Sequence, residues 1–125
     1  MTEPRLHHVQ CLDAKGLHRM AYWEWGDPRG AKVLVCVHGL SRQGRDFDTL
    51  ARAMRGEYRV VCPDVVGRGR SDWLADPMGY QIPNYVADMV VLLARLDAAR
   101  VLRLRLGARR VELALRHRKL PLGLL

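Results

Sequence analysis

Cysteine is scarce and unpatterned in this sequence. Cys11, Cys36 and Cys62 form an odd set without metal-ligand spacing, which excludes a disulfide-stapled scaffold and a zinc finger read from spacing alone. They point instead to reduced, mostly buried thiols and a cytoplasmic setting. Long apolar runs are missing too: stretches such as Val33-Leu34-Val35-Cys36-Val37 fall far short of the ~20 residues that span a bilayer. The start, Met1-Thr2-Glu3-Pro4-Arg5-Leu6-His7-His8, has no apolar stretch behind its charges, which argues against a secretory signal. There are no internal repeats or low-complexity linkers. Serine occurs twice, at Ser41 and Ser71.

What is present is ordinary globular material. The 125 residues are 49% hydrophobic and 27% charged, enough for one domain with a single core. The net charge of +8 is unevenly placed. Residues 1–99 carry 13 Lys+Arg against 12 Asp+Glu, whereas residues 100–125 carry eight against one, Glu112. That last stretch also holds nine leucines and no Ser, Thr, Asp, Asn, Phe, Tyr or Trp. The break after Arg95-Leu96-Asp97-Ala98-Ala99 divides the chain into a domain portion, 1–99, and a divergent Arg/Leu-rich tail, 100–125.

The pattern predicts strands over Leu6–Leu12 and Leu17–Trp25, joined by a tight reversal at Asp13-Ala14-Lys15-Gly16. Lys32–His38 reads as a strand buried on both faces of a parallel sheet. Phe47, Leu50, Ala51 and Met54 fall at helical spacing within 45–55, and Gly56 is expected to close that helix. Tyr58–Cys62 is a further strand, ended by Pro63. A helix begins near Pro83 and runs to about Leu96, with Tyr85, Met89, Leu92, Leu93 and Leu96 on one stripe. Strands alternating with helices after a leading hairpin indicate an α/β sheet with covering helices, whose ligands bind beyond the carboxyl ends of the strands.

Two loops fall at such ends. His38-Gly39-Leu40-Ser41 follows the buried strand directly, and there Gly39 lets the chain turn so that the next amide faces the crevice. The Leu40 N–H is a candidate oxyanion donor for acyl transfer, and the plainer reading is a strand-ending turn with a satisfied histidine. Asp64-Val65-Val66-Gly67-Arg68-Gly69-Arg70-Ser71 lacks nucleotide-loop spacing. Its Gly67 and Gly69 permit a tight path, with Ser71 or Asp72 capping the next segment.

Taken together, His38-Gly39 after a β-run, a helix, and then Pro63-Asp64 with Gly67-Arg68-Gly69-Arg70-Ser71 resemble the α/β-hydrolase fold family. The wider strings Tyr22-Trp23-Glu24-Trp25-Gly26 and His38–Phe47 are similar to a bacterial subgroup of single-domain serine hydrolases of unassigned substrate. The resemblance covers about residues 15–99. It implies the N-terminal part of that sheet, with Leu40 supplying an oxyanion-hole amide and Asp64, Gly67, Gly69 and Ser71 architectural. It also implies hydrolysis of an ester or related acyl bond in a small-molecule acyl substrate, although this fold hosts other reactions as well.

The resemblance calls for a serine in Gly-x-Ser-x-Gly at about residues 105–110. The chain there reads Leu104-Arg105-Leu106-Gly107-Ala108-Arg109-Arg110, without a nucleophile. Neither Ser41 nor Ser71 replaces it, and the acid and histidine that follow in such triads have no counterpart; His117 sits among Arg116, Arg118 and Lys119. Alternation of Leu102, Leu104 and Leu106 with Arg103 and Arg105 suits a strand with one wet face, where the resemblance implies a covered central strand. The expectation is therefore a truncated, inactive form with an out-of-frame tail and a long unprotected edge, since the complete architecture needs roughly 200–250 residues. The competing reading is a basic-tailed module for nucleic acid or an anionic membrane. Its amphipathic signal over Ala108–Lys119 is weak and aromatic interleaving is absent, so neither partner is expected. No metal and no organic cofactor are expected, and the sequence sets no oligomeric state.

Overall fold

A computed structural model describes the backbone of residues 4–96, 100–106 and 109–111, and the side chains of residues 4–96. Strands β1 (Arg5–Asp13) and β2 (Gly16–Trp25) form an antiparallel hairpin in which Cys11 lies opposite His18. Its turn is set by Asp13 Oδ1, which accepts the Lys15 N–H at 2.7 Å, and by Gly16 at a φ of +134°. Strand β3 (Lys32–Val37) is buried from Val33 to Val37, as its unbroken apolar run requires.

After a 3₁₀ turn over Gly44–Phe47 come helix α1 (Asp48–Met54), strand β4 (Arg59–Pro63), a second 3₁₀ turn at Pro77–Gly79 and helix α2 (Ile82–Leu96). Strands β5 (Arg100–Leu106) and β6 (Arg109–Val111) complete one sheet of order β1-β2-β4-β3-β5-β6. Strands β4, β3 and β5 run parallel, and β2 and β6 pair antiparallel at either side. The expected α/β sheet with a leading hairpin is thus present.

The helices cover opposite faces because strand residues alternate. Val33, Val35 and Val37 pack with Met20, Tyr22, Leu92 and Leu96 on the α2 side. Leu34 and Cys36 pack with Trp25, Ala51, Val60 and Cys62 on the α1 side. No helix of the described residues is long and apolar enough to cross a membrane.

Three expectations change. Gly56 does not take a left-handed conformation and has open space around its Cα; α1 ends through Arg55, which stays right-handed. The outer edge of β5 is not bare, since β6 pairs with it from Leu104 to Leu106. Residues 109–111, which lie near the start of the stretch whose amphipathic signal is weak, form that strand, while 112–125 and the side chains of Arg103 and Arg105 lie outside the described residues.

Candidate functional site

Strand β3 delivers His38 to its carboxyl end, where Gly39–Arg42 make a turn closed by the Arg42 N–H on the Gly39 carbonyl at 3.1 Å. A turn of this kind uses the amide of its fourth residue and leaves that of its second, Leu40, unspent. Among the described residues the Leu40 N–H has no acceptor, and its side chain is 74% exposed. Gly39 departs from expectation: its φ is not positive, and a Cβ there would meet only Arg42 Cγ at 3.8 Å. Glycine therefore leaves space above the turn and is not needed to bend it.

His38 is buried and fully engaged. The Val65 N–H donates to Nε2 at 2.9 Å, which fixes the proton on Nδ1, and Nδ1 donates to the Gly39 carbonyl at 2.6 Å. Burial pushes its pKa below the usual imidazole value, the more so as Arg68 lies nearby, against opposing contributions from the Gly39 carbonyl, Asp64 and Asp46. With both nitrogens occupied, His38 is no base for Ser41; it fastens the turn after β3 to the loop after β4. The satisfied-histidine reading holds for this residue.

The second loop is a brace. Asp64, 1% exposed, accepts the Gly44 N–H on Oδ1 at 2.7 Å and the Arg70 N–H on Oδ2 at 2.9 Å. Gly69, at a φ of +52°, lies so close that a Cβ would enter the Asp64 carboxylate, and Gly67, at +83°, faces the Tyr80 ring. Ser71 and Asp72 cap no helix. Ser71 Oγ donates to the Asp64 carbonyl at 2.6 Å and accepts the Ala21 N–H at 2.8 Å, while Asp72 Oδ2 accepts the Arg19 N–H at 2.9 Å. Both stitch the loop to β2 beyond the last rung of the β2–β4 ladder. Ser71 has thus spent its hydroxyl on structure.

One residue that the pattern did not single out joins the two loops. Arg68 Nε donates to the Leu40 carbonyl at 2.8 Å, and the guanidinium lies over the Tyr85 ring with its carbon 5.4 Å from the centroid. An arginine inside a glycine-rich loop gives no sequence signal of which carbonyl it will find. Beside it, an apolar cleft of about 290 Å³ opens between the His38–Leu40 turn and α2, lined by Val37, Val65, Tyr85, Val86 and Met89. Leu40, whose amide has no acceptor among the described residues, lies on the wall of this cleft.

No protein-family profile matches the chain. A 3-hydroxybutyrate-oligomer hydrolase from Cupriavidus necator is 66% identical over 100 residues, which are 80% of this chain and 34% of that protein. A solved alpha/beta hydrolase from Novosphingobium aromaticivorans is 35% identical, with a TM-score of 0.69 over 81% of this chain and 34% of its own. A haloalkane dehalogenase from Paraglaciecola agarilytica is 26% identical, with a TM-score of 0.72 over 82% of this chain and 35% of its own. The chain spans about a third of the length of these relatives. The sheet order, the turn after β3 and these likenesses place the chain in the α/β-hydrolase fold family, as the N-terminal part of that fold.

Proposed function

We propose that residues 1–99 are the oxyanion-stabilising part of a serine hydrolase whose complete form cleaves an ester or related acyl bond in a small-molecule acyl substrate. The Leu40 amide, unspent at the carboxyl end of β3 beside the apolar cleft, carries this reading. His38, Gly39 and Leu40 form the oxyanion loop, and Asp64, Gly67, Gly69 and Ser71 hold it in place. The 66% identity to a hydrolase of 3-hydroxybutyrate oligomers supports short hydroxy-acid oligoesters as the substrate class.

In this chain the oxyanion loop lacks its partner. No Gly-x-Ser-x-Gly occurs in the 125 residues, Ser71 is committed to Asp64 and Ala21, and Ser41 has no base in His38. The chain alone is therefore inactive. Residues from about Arg100 onward read as an out-of-frame continuation, a reading supported by the change of composition after Ala99 and by the loss of the serine motif at its expected place. The three cysteines are buried and no disulfide joins them, which supports a reducing, cytoplasmic location.

A p-nitrophenyl ester assay of the chain tests the first claim: no serine-dependent turnover is expected, and activity abolished by Ser41→Ala refutes it. The second is tested on genomic DNA read past codon 99 in the other two frames. A Gly-x-Ser-x-Gly there supports the proposal and its absence defeats it. Expressed in the frame that restores the motif, the protein should hydrolyse 3-hydroxybutyrate oligomers.

A further inference from the structure

Away from the cleft, the hairpin and α2 enclose a second set of polar side chains that acyl transfer does not use. Cys11 on β1 and His18 on β2 are direct register partners, and Asp88 reaches them from α2. All three are buried, at 1%, 5% and 3% exposure. Their sulfur, imidazole nitrogen and carboxylate oxygen lie within 4.8 Å of one another. His18 Nε2 is 2.9 Å from Asp88 Oδ2, while Nδ1 is 3.2 Å from Asp13 Oδ2 yet lacks the alignment of a hydrogen bond.

A cysteine nucleophile does not fit. Burial first, then the Asp88 carboxylate, pushes the Cys11 thiol up to about 12, and both nitrogens of His18 face carboxylates, leaving neither for the sulfur. A His18 ring set between Asp13 and Asp88 accounts for the carboxylates and leaves the Cys11 thiol only a long contact to the Val9 carbonyl at 3.9 Å. A divalent transition metal accounts for all four groups. Thiolate, imidazole and carboxylate are the donors such ions take, and bond lengths of roughly 2.0–2.3 Å put neighbouring ligand atoms about 3.3–3.8 Å apart, within small movements of the observed spacing. With Nε2 on the metal, a small rotation of the ring would bring Nδ1–H onto Asp13 Oδ2, now 3.2 Å away, in the carboxylate–histidine–metal arrangement that fixes a ligating ring. A crevice of about 150 Å³ bordered by Asp13, Leu74 and Asn84 opens beside the positioning carboxylate.

We propose that Cys11, His18 and Asp88 bind one zinc-class divalent ion, with Asp13 positioning His18, and that the ion clamps the leading hairpin to α2. Cobalt(II) added to the full chain is the probe. Expected are tetrahedral visible bands and a near-ultraviolet thiolate band that saturate at one equivalent, are displaced by zinc, and accompany a rise in Tm. Cys11→Ser should abolish the thiolate band and Asp13→Asn should weaken binding by about 10–100-fold with unchanged far-ultraviolet circular dichroism, while Cys36→Ser should keep both. X-ray absorption at the zinc edge of the wild-type chain keeps the proposal testable if Cys11→Ser does not fold: one sulfur with nitrogen and oxygen ligands supports the site. A shell of oxygen and nitrogen alone, no thiolate band in the folded wild type, or a band that survives Cys11→Ser overturns it.

Discussion

At the scale of single residues, His38 and Ser71 separate chemistry from scaffolding. Both are reactive types in loops beyond the strand ends, and both have spent their polar atoms on the backbone. Protonation of His38 breaks the bond from the Val65 N–H, and its folded pKa lies below the ordinary 6.5. The unfolded chain then binds the proton more readily, so this contribution is complete above pH 6.5 and fades as pH falls through the folded value. The urea midpoint should drop as pH falls below 6.5, and His38→Gln should flatten that dependence. Ser71→Ala leaves the Ala21 N–H buried without an acceptor and should cost about 1–3 kcal/mol in denaturant unfolding. The residue types of the His-Gly turn and the glycine loop were legible in the sequence. Their partners were not, because Val65, Ala21 and Leu40 are met through backbone atoms that every residue carries.

At the scale of elements, α2 has two apolar faces. The stripe of Tyr85, Met89, Leu92, Leu93 and Leu96 packs on the sheet as its spacing predicts. Asp88 interrupts that stripe, and a carboxylate at a core position was the one sequence signal of the buried Cys11–His18 group. Ile82, Val86 and Val90 stand 69%, 53% and 60% exposed along the cleft. An apolar stripe of this kind drives association when nothing covers it. The double variant Val86→Lys, Val90→Lys should therefore lower self-association in light scattering and leave Tm within ~1 °C, because neither side chain is in the core. Unchanged scattering would argue that the stripe is already covered.

Across the whole molecule, Glu24 gathers the hairpin, β4 and the end of α2. It faces Arg5 and His7 from β1 and Arg59 from β4, and Arg59 also donates to the Leu96 carbonyl at 3.0 Å. Burial works to raise its pKa, yet Arg59 and Arg5 outweigh it and hold the carboxyl below the ordinary 4.5. Its stabilisation is complete above that value and is lost as pH falls through the lower, folded one. Glu24→Ala strands Arg59 beside a desolvated site and should cost about 3 kcal/mol or more, read as a lower urea midpoint at neutral pH. It should also shrink the acid-induced loss of stability below about pH 4.5.

The strands up to β4 and both helices, the two-sided burial of β3, the change of composition after Ala99 and the absence of Gly-x-Ser-x-Gly all follow from the order of residues, since alternation and helical spacing report how a segment meets its neighbours. The sheet order β1-β2-β4-β3-β5-β6, the commitment of His38 and Ser71 to backbone groups, and the meeting of Cys11, His18 and Asp88 do not. Those depend on contacts between segments up to 77 positions apart, as with Cys11 and Asp88. Such contacts exist only once the chain has buried its apolar faces, and no local pattern encodes which distant atom will then stand within hydrogen-bonding reach.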